Sequence, residues 1–493
     1  MKVRYIDEPV LQFGSGQHLC PRKGIFTFSP YDIDLVRPDK IKLGIIGKPD
    51  SVEVIIEWLD KCKSHIDEKK GKNPLPNLFT NFCGFNLESG FKCEVVFDES
   101  YIRKINNSEF DEITKKHDNL ETRIEEVAGL YLNEIKYLTK NKNPDVILCV
   151  ISEKLISFIT EGESKVEKPG KETEQVEEQS DIASAFTEEI ENEPDMQSKL
   201  EQNFRRYLKA KAMQYHIPIQ MVRDRIANPS KEMQDPATIA WNFFTALYYK
   251  ASGIPWALIR RDGHEATCYA GISFFKSRDR KTTQTSIAQI FNELGKGVIL
   301  RGDEIVVRKD DLTPHLSEEQ AFNLLDKSLK EYWDAIKIAP KRLVLHKTSN
   351  FNEAEIYGFK QAAKKYNINA VDLVSIQSSD IRLYRTSVYP PMRGTHLSLS
   401  EKHHVLYTRG SVPYYETYPG MYIPRPLSIR LFEHDESPNT ICDEILALTK
   451  MNWNNTQFDR RNPITIDCAR NVGHIMKYIE EEDNMELKYG FYM

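Results

Sequence analysis

Two short runs, IKLGIIG (41–47) and DVILCVIS (145–152), are rich in β-branched apolar residues and bounded by turn-forming residues. Such runs read as buried strands. Between them Ile124, Val127, Tyr131, Ile135 and Leu138 recur at spacings of three and four, the apolar stripe of an amphipathic helix. Strands separated by helices point to a parallel α/β layer structure. Further along, NFRRYLKAKAMQYH (203–216) reads as a polar, basic helix ended by Pro218, and HIPIQ reads as a Pro-containing turn. Asp235-Pro236 supplies an N-cap and first-turn pair for a helix running to Lys250.

From about residue 256 the pattern changes. Short strands are predicted at 267–275, 297–302, 342–346, 370–376 and 404–410, and helices at 318–335, 352–366, 441–451 and 467–478. The stretch 342–376 is a strand–helix–strand unit. With 493 residues the chain has material for two to four domains, and the reading is two α/β domains joined near 230–258. No repeat at solenoid periods is present.

The formal net charge of −6 argues at first against a nucleic-acid partner. Its distribution reverses that. Residues 161–196 hold 13 acidic and 3 basic residues, a net −10 that leaves +4 on the remainder, and their composition is that of a solvated insertion. The eight cysteines, Cys20, Cys62, Cys83, Cys93, Cys149, Cys268, Cys442 and Cys468, form no C-x-x-C pair and read as buried free thiols. His403-His404 lacks a third ligand at metal spacing. The opening residues lack a signal-peptide layout and no run approaches a membrane span, so a reducing, cytoplasmic setting with no membrane is expected.

Arg205 and Lys209 lie four apart and share one face of a helix. With Gln220 and Lys250 they form a donor set suited to a terminal phosphate, because charge-assisted donors match its oxygens. A solvated helix face accounts equally for the spacing. Arg393-Gly394-Thr395 and Tyr407-Thr408-Arg409-Gly410 sit at strand ends and fit either backbone contacts to a duplex or ordinary turn chemistry. Tyr414, Tyr415, Tyr418 and Tyr422 are interleaved with prolines, which favours a packed loop over base stacking, and packing is the expected role of Trp453 beside Lys450 and Asn452.

FRRYLKA…IPIQ, FTALYYKASGIPW, RLVLHKTSNF, YPPMRGT, LYTRGSVPYYETYPG, LALTKMNWNN, PITIDCARNVGHI and the terminal GFYM together resemble a short prokaryotic Argonaute, as does GIFTFSPYD near the start. The likeness runs over nearly the whole chain except the acidic insertion. It implies a Rossmann-like MID domain followed by an RNase H-like PIWI domain, with no N or PAZ domain. The corresponding boundaries are an N-terminal segment 1–30, a MID domain 31–255 carrying the insertion 161–196, and a PIWI domain 256–493.

By this resemblance Arg205, Lys209, Gln220 and Lys250 match the residues that hold a guide 5′-phosphate, and a Mg²⁺ ion is expected there with Gln220 and the carboxylate of Met493 as ligands. The family's slicing members hold two Mg²⁺ ions on carboxylates. Here Ser273, Thr348 and Arg470 fall at three of those positions, and Glu304 is only a nominal candidate for the fourth. Two hydroxyls and a guanidinium cannot neutralise two divalent cations, so no slicing is expected. The resemblance implies a guide RNA, a target single-stranded DNA and an APAZ-domain effector: a sirtuin-like or TIR NADase, or a nuclease. Target pairing would switch that effector on in antiplasmid or antiphage defence. The alternative is a stand-alone guide-dependent endonuclease.

Overall fold

The computed structural model describes residues 1–69, 75–116, 119–160, 196–230, 233–259, 267–278, 281–291, 296–305, 313–337, 339–384, 390–420, 423–457, 459–480, 483 and 485–493. The acidic stretch 161–195 lies outside the described residues.

The chain opens with β1 (Lys2–Tyr5), the two-residue strands β2 (Leu11–Gln12) and β3 (Gln17–His18), and α1 (Pro21–Phe28). The first half continues with β4 (Lys40–Gly47), α2 (Pro49–Lys61), β5 (Glu94–Val96), β6 (Ile102–Lys104), α3 (Asn107–Lys116), α4 (Leu120–Asn141), β7 (Val146–Ile151), α5 (Glu153–Thr160), α6 (Met196–Ala212), β8 (Ile219–Arg223) and α7 (Pro236–Lys250). Strands β5, β4, β7 and β8 pair in that order, all parallel, and β6 also pairs with β4.

A parallel sheet must be covered on both faces, and this explains the unbroken apolar run of β7. Val146, Leu148 and Val150 enter one core cluster, whereas Ile147, Cys149 and Ile151 enter another. The stripe Ile124, Val127, Tyr131, Ile135 and Leu138 of α4 is wholly buried in the second cluster with Phe204 and Leu208 of α6. The segment read as a turn, HIPIQ, instead enters β8. Its Ile219 and Gln220 pair with Ile147 and Leu148 of β7, and that ladder overrides the local turn preference of Pro218.

The second half comprises β9 (Ala257–Leu258), β10 (Thr267–Lys276), β11 (Thr283–Phe291), β12 (Lys296–Ile305), α8 (Glu318–Ile336), β13 (Arg342–Lys347), α9 (Glu353–Lys365), β14 (Ala370–Ser378), β15 (Thr395–Ser398), β16 (His403–Leu406), β17 (Leu427–Glu433), α10 (Pro438–Leu448) and α11 (Ile464–Met476). Nine strands form one sheet in the order β1-β15-β16-β17-β14-β13-β10-β11-β12. At one edge β10, β11 and β12 form an antiparallel meander, and β13 and β14 run parallel to β10. Capping boxes at Ser317/Gln320 and Asn352/Glu355 fix the starts of α8 and α9.

Strand β16 stops at Leu406, four residues short of the predicted end. The chain turns there and returns to the 390s, where Gly394 has φ +92° and a Cβ would sit 2.2 Å from the Ile6 carbonyl oxygen. The first residues join the second half, since β1 pairs antiparallel with β15 at the sheet edge. One apolar cluster runs from Leu11 through α2 and α7 to Trp453, α11 and the last residues, so the two halves share a continuous core.

Candidate functional site

Helix α7 is capped by Asp235, whose side chain accepts from Thr238 N at 3.0 Å, and it is buried almost all round. A helix apolar on every face lies inside the molecule, and Lys250 at its carboxyl end is therefore enclosed, with 5% exposure. Its Nζ donates to main-chain oxygens of Gly490 and Met493, both at 2.9 Å. Tyr489, Phe491, Tyr492 and Met493 are themselves buried in the shared core, which brings the end of the chain to this ammonium. Burial holds Lys250 well below the usual lysine range, and the nearby Lys209 cation pushes it further down.

Lys209 comes from α6, and Arg205 lies one turn earlier on the same helix. Burial lowers the Arg205 guanidinium to about 10, with a contribution from the Arg225 cation. Its Nε is buried without a hydrogen-bond partner. Glu201 Oε1 lies 3.8 Å away, and that carboxylate is engaged by Arg223, whose Nε donates to it at 2.9 Å. Gln220 is buried on β8, the strand that follows α6. The fold thus places Lys250 on Met493 with Lys209 near enough to act on its charge, and sets Arg205 beside Glu201 and Arg225.

Enclosed cations held this far from water are costly unless an anion joins them. The arrangement can therefore take a phosphate-sized anion, with Lys209 and Lys250 as charge-assisted donors. A hard divalent cation needs several oxygen ligands. An amide from Gln220 and an oxygen from Met493 are two ligands at most, so they would fit one only when a ligand's own anionic oxygens complete the shell.

A second constellation lies across the central strands of the large sheet. Ser273 on β10 is buried and stands opposite Ser286 of β11. Ser286 Oγ donates to the carbonyl oxygen of Ala469 in α11 at 2.8 Å and reaches that of Ser273 at 3.4 Å. Thr348 N, just past β13, meets the Ile272 carbonyl oxygen at 3.4 Å. Helix α11 crosses β10 so closely that a Cβ on Gly271 would fall 2.0 Å from the Thr465 carbonyl oxygen. Ser273, Thr348 and the helix turn carrying the exposed Arg470 are thereby gathered at one end of β10 and β13.

Sequence reasoning missed polar groups buried on these strands, Lys347 on the α9 face of the sheet and His346 on the α11 face. Lys347 is fully buried, with Nζ 2.5 Å from Glu355 Oε1. Glu355 also accepts from Leu316 N and Asn352 N, so its carboxylate is committed to the cap of α9. His346 Nδ1 lies 2.8 Å from Thr465 Oγ1, and burial with the Arg342 cation lowers the imidazole to about 3. Glu304 is exposed on β12 opposite Gln284, and its backbone oxygen accepts from Gln320 Nε2.

Other sequence expectations change. Arg393 does not face a duplex: it is 1% exposed, pairs with Glu8 at 2.9 Å and donates to Thr408 O and to Thr449 Oγ1. Lys450 follows the end of α10 rather than lying within a helix, and joins the same Glu8 at 3.1 Å. Glu8 carried no signal in the sequence, because its partner Arg393 is 385 positions away. Tyr415 is buried and Tyr414 packs edge-on against His18, the packed-loop reading. All eight cysteines are free and buried. Among the described residues no helix is long and apolar enough to cross a membrane.

No family model matches the sequence, and no curated protein matches it. Solved structures do match in fold. Clostridium butyricum Argonaute bound to a guide DNA and a 19-mer target DNA superposes with a TM-score of 0.64 at 15% identity, over 98% of this chain and 53% of that one. Drosophila Piwi gives 0.58 at 12% identity, over 100% and 56%. Marinitoga piezophila Argonaute in complex with a 5′-OH guide RNA gives 0.55 at 12%, over 100% and 59%. The chain spans a little more than half the length of these proteins. The parallel sheet of the first half and the nine-stranded mixed sheet of the second are therefore the MID and PIWI layers of an Argonaute-type fold.

Proposed function

We propose that this chain anchors the 5′-phosphate of a short guide strand, RNA by the sequence resemblance, and recognises single-stranded target DNA by pairing with it. The observation that carries the reading is the buried ammonium of Lys250, held beside Lys209 with its pKa depressed and bonded to backbone oxygens. Arg205, with its buried, unbonded Nε on the same face of α6, extends the set, and Gln220 completes it. Within the reading, the phosphate supplies the anionic oxygens that a Mg²⁺ ion between Gln220 and Met493 would require. Sequence would be read by base pairing while the protein holds the backbone, as in other guide-programmed systems.

The chain is read as a sensor rather than a slicer. What supports this is the residue types at these positions: the hydroxyls of Ser273 and Thr348 and the guanidinium of Arg470, none of which offers a carboxylate. An output would then come from an APAZ-domain effector, an NADase or a nuclease, switched by guide–target pairing. The test is direct binding of guide RNA bearing either 5′-phosphate or 5′-hydroxyl. Strong preference for the phosphate, lost when Arg205 and Lys209 are replaced by alanine, is expected. Equal affinity for both guides would refute the pocket. Copurification with the natural partner, followed by mass spectrometry, tests the effector.

A further inference from the structure

Strands β15 and β16 pair with His396 opposite Leu406 and Ser398 opposite His404. Residues two apart share a face of a sheet, so His396 and His404 point to the same side, where α10 covers them with Cys442. All three are buried, at 0%, 2% and 0% exposure. Their nearest ligand atoms lie within 4.8 Å of one another, and among the described residues this is the one His/Cys/Asp/Glu group so arranged. His396 Nε2 is 3.1 Å from His404 Nδ1 and 3.5 Å from Cys442 Sγ. A tetrahedral zinc ion with Zn–N of about 2.0–2.1 Å and Zn–S of about 2.3 Å has ligand–ligand edges of roughly 3.3–3.6 Å.

We propose that His396 Nε2, His404 Nδ1 and Cys442 Sγ form a site for one zinc-class divalent cation that clasps the β15–β16 hairpin to α10. The second shell of His404 is already set: Nε2 lies 3.1 Å from the Glu401 carbonyl oxygen, which fixes the N–H on that nitrogen and leaves Nδ1 free to ligate. Ser398 Oγ lies 3.2 Å from His404 Nδ1, on the same side.

His396 makes the site unusual. Arg4 Nε of β1 lies 2.8 Å from its Nδ1, and an arginine can only donate. Without metal, His396 therefore carries its proton on Nε2 and donates to His404 Nδ1, giving a relay from Arg4 through both imidazoles to Glu401. Entry of the cation displaces that Nε2 proton and the Cys442 thiol proton, two in all. The thiolate then ligates as an anion, and the His396 imidazolate is held by the Arg4 guanidinium. The charged and titratable groups around the site are Arg4, Asp443, which pairs with Arg4 at 2.5 Å, His403 and His434.

The site is to be probed on the full chain with Co²⁺ and Zn²⁺ alone. One Co²⁺ per chain, with a thiolate-to-cobalt charge-transfer band and the d–d bands of a four-coordinate ion, is expected, and Zn²⁺ should displace it. Cys442→Ser and His404→Gln should lose the bands while keeping the far-UV circular dichroism of the parent. No cobalt uptake by the folded parent, or uptake that survives in folded Cys442→Ser, overturns the proposal.

Discussion

Replacing Lys250 by methionine keeps the apolar stem of the side chain and removes the ammonium. In the empty protein this leaves the Gly490 and Met493 oxygens without their 2.9 Å donor. In a phosphate complex it also removes a charge-assisted hydrogen bond from an enclosed site, worth about 3 kcal/mol. At 1.4 kcal/mol per decade that is roughly a 100-fold loss of affinity. The loss should fall only on a guide that carries a 5′-phosphate, because a 5′-hydroxyl guide offers Lys250 no anion. Fluorescence anisotropy with both guides, on the parent and Lys250→Met, separates the phosphate contact from any general disturbance of the pocket. An equal loss for both guides, or an unchanged preference for the phosphate, would refute the argument.

A pH dependence follows from the same residue. Its folded-state pKa is lowered, first by burial and then by Lys209, so the unfolded chain holds more protons between that depressed value and about 10.4. Stability of the empty protein therefore rises with pH across this window, and the penalty of charging Lys250 is fully present below it. A bound phosphate favours the charged form, so binding in the window takes up a proton and affinity falls as pH rises. Calorimetry in buffers of different ionisation enthalpy should show the uptake in the parent and not in Lys250→Met.

Three further outcomes are expected. Burial alone would raise the Glu8 carboxyl, yet Arg393 and Lys450 hold it below the usual carboxylate range. Glu8→Gln should cost about 3–5 kcal/mol in chemical denaturation by leaving two enclosed cations uncompensated, and the parent should lose this contribution as pH falls through the depressed value. Gly271→Ala would drive a Cβ to 2.0 Å from the Thr465 carbonyl oxygen and should cost at least about 3 kcal/mol, read as a lower unfolding temperature. The purified chain with a matched guide and labelled target should yield no cleavage product in Mg²⁺ or Mn²⁺. Product that disappears on changing Ser273 would contradict the sensor reading.

Much of the architecture was legible because its signals are local. The apolar run of β7 and the stripe of α4 follow from the periods of strand and helix, and both are buried as expected. The cap of α7 is written in Asp235-Pro236. Strand β11, TQTSIAQIF, escaped notice because its polar positions interrupt the apolar pattern, and it is a strand because β10 and β12 pair on its two sides. Strand β8 was hidden behind the turn preference of Pro218.

By itself the sequence determined the α/β layering, the concentration of negative charge in 161–196 and the helical spacing of Arg205 and Lys209. Only the tertiary structure decided which charges are enclosed and what answers them. It brings Met493 to Lys250, 243 positions apart, and Glu8 to Arg393, and it seats Lys347 on Glu355. It also turns two histidines that lacked a third ligand in sequence into a group with Cys442. The physical reason is that desolvation and Coulomb energies depend on neighbours in space, and those neighbours come from strand pairing and helix crossing far outside any local window.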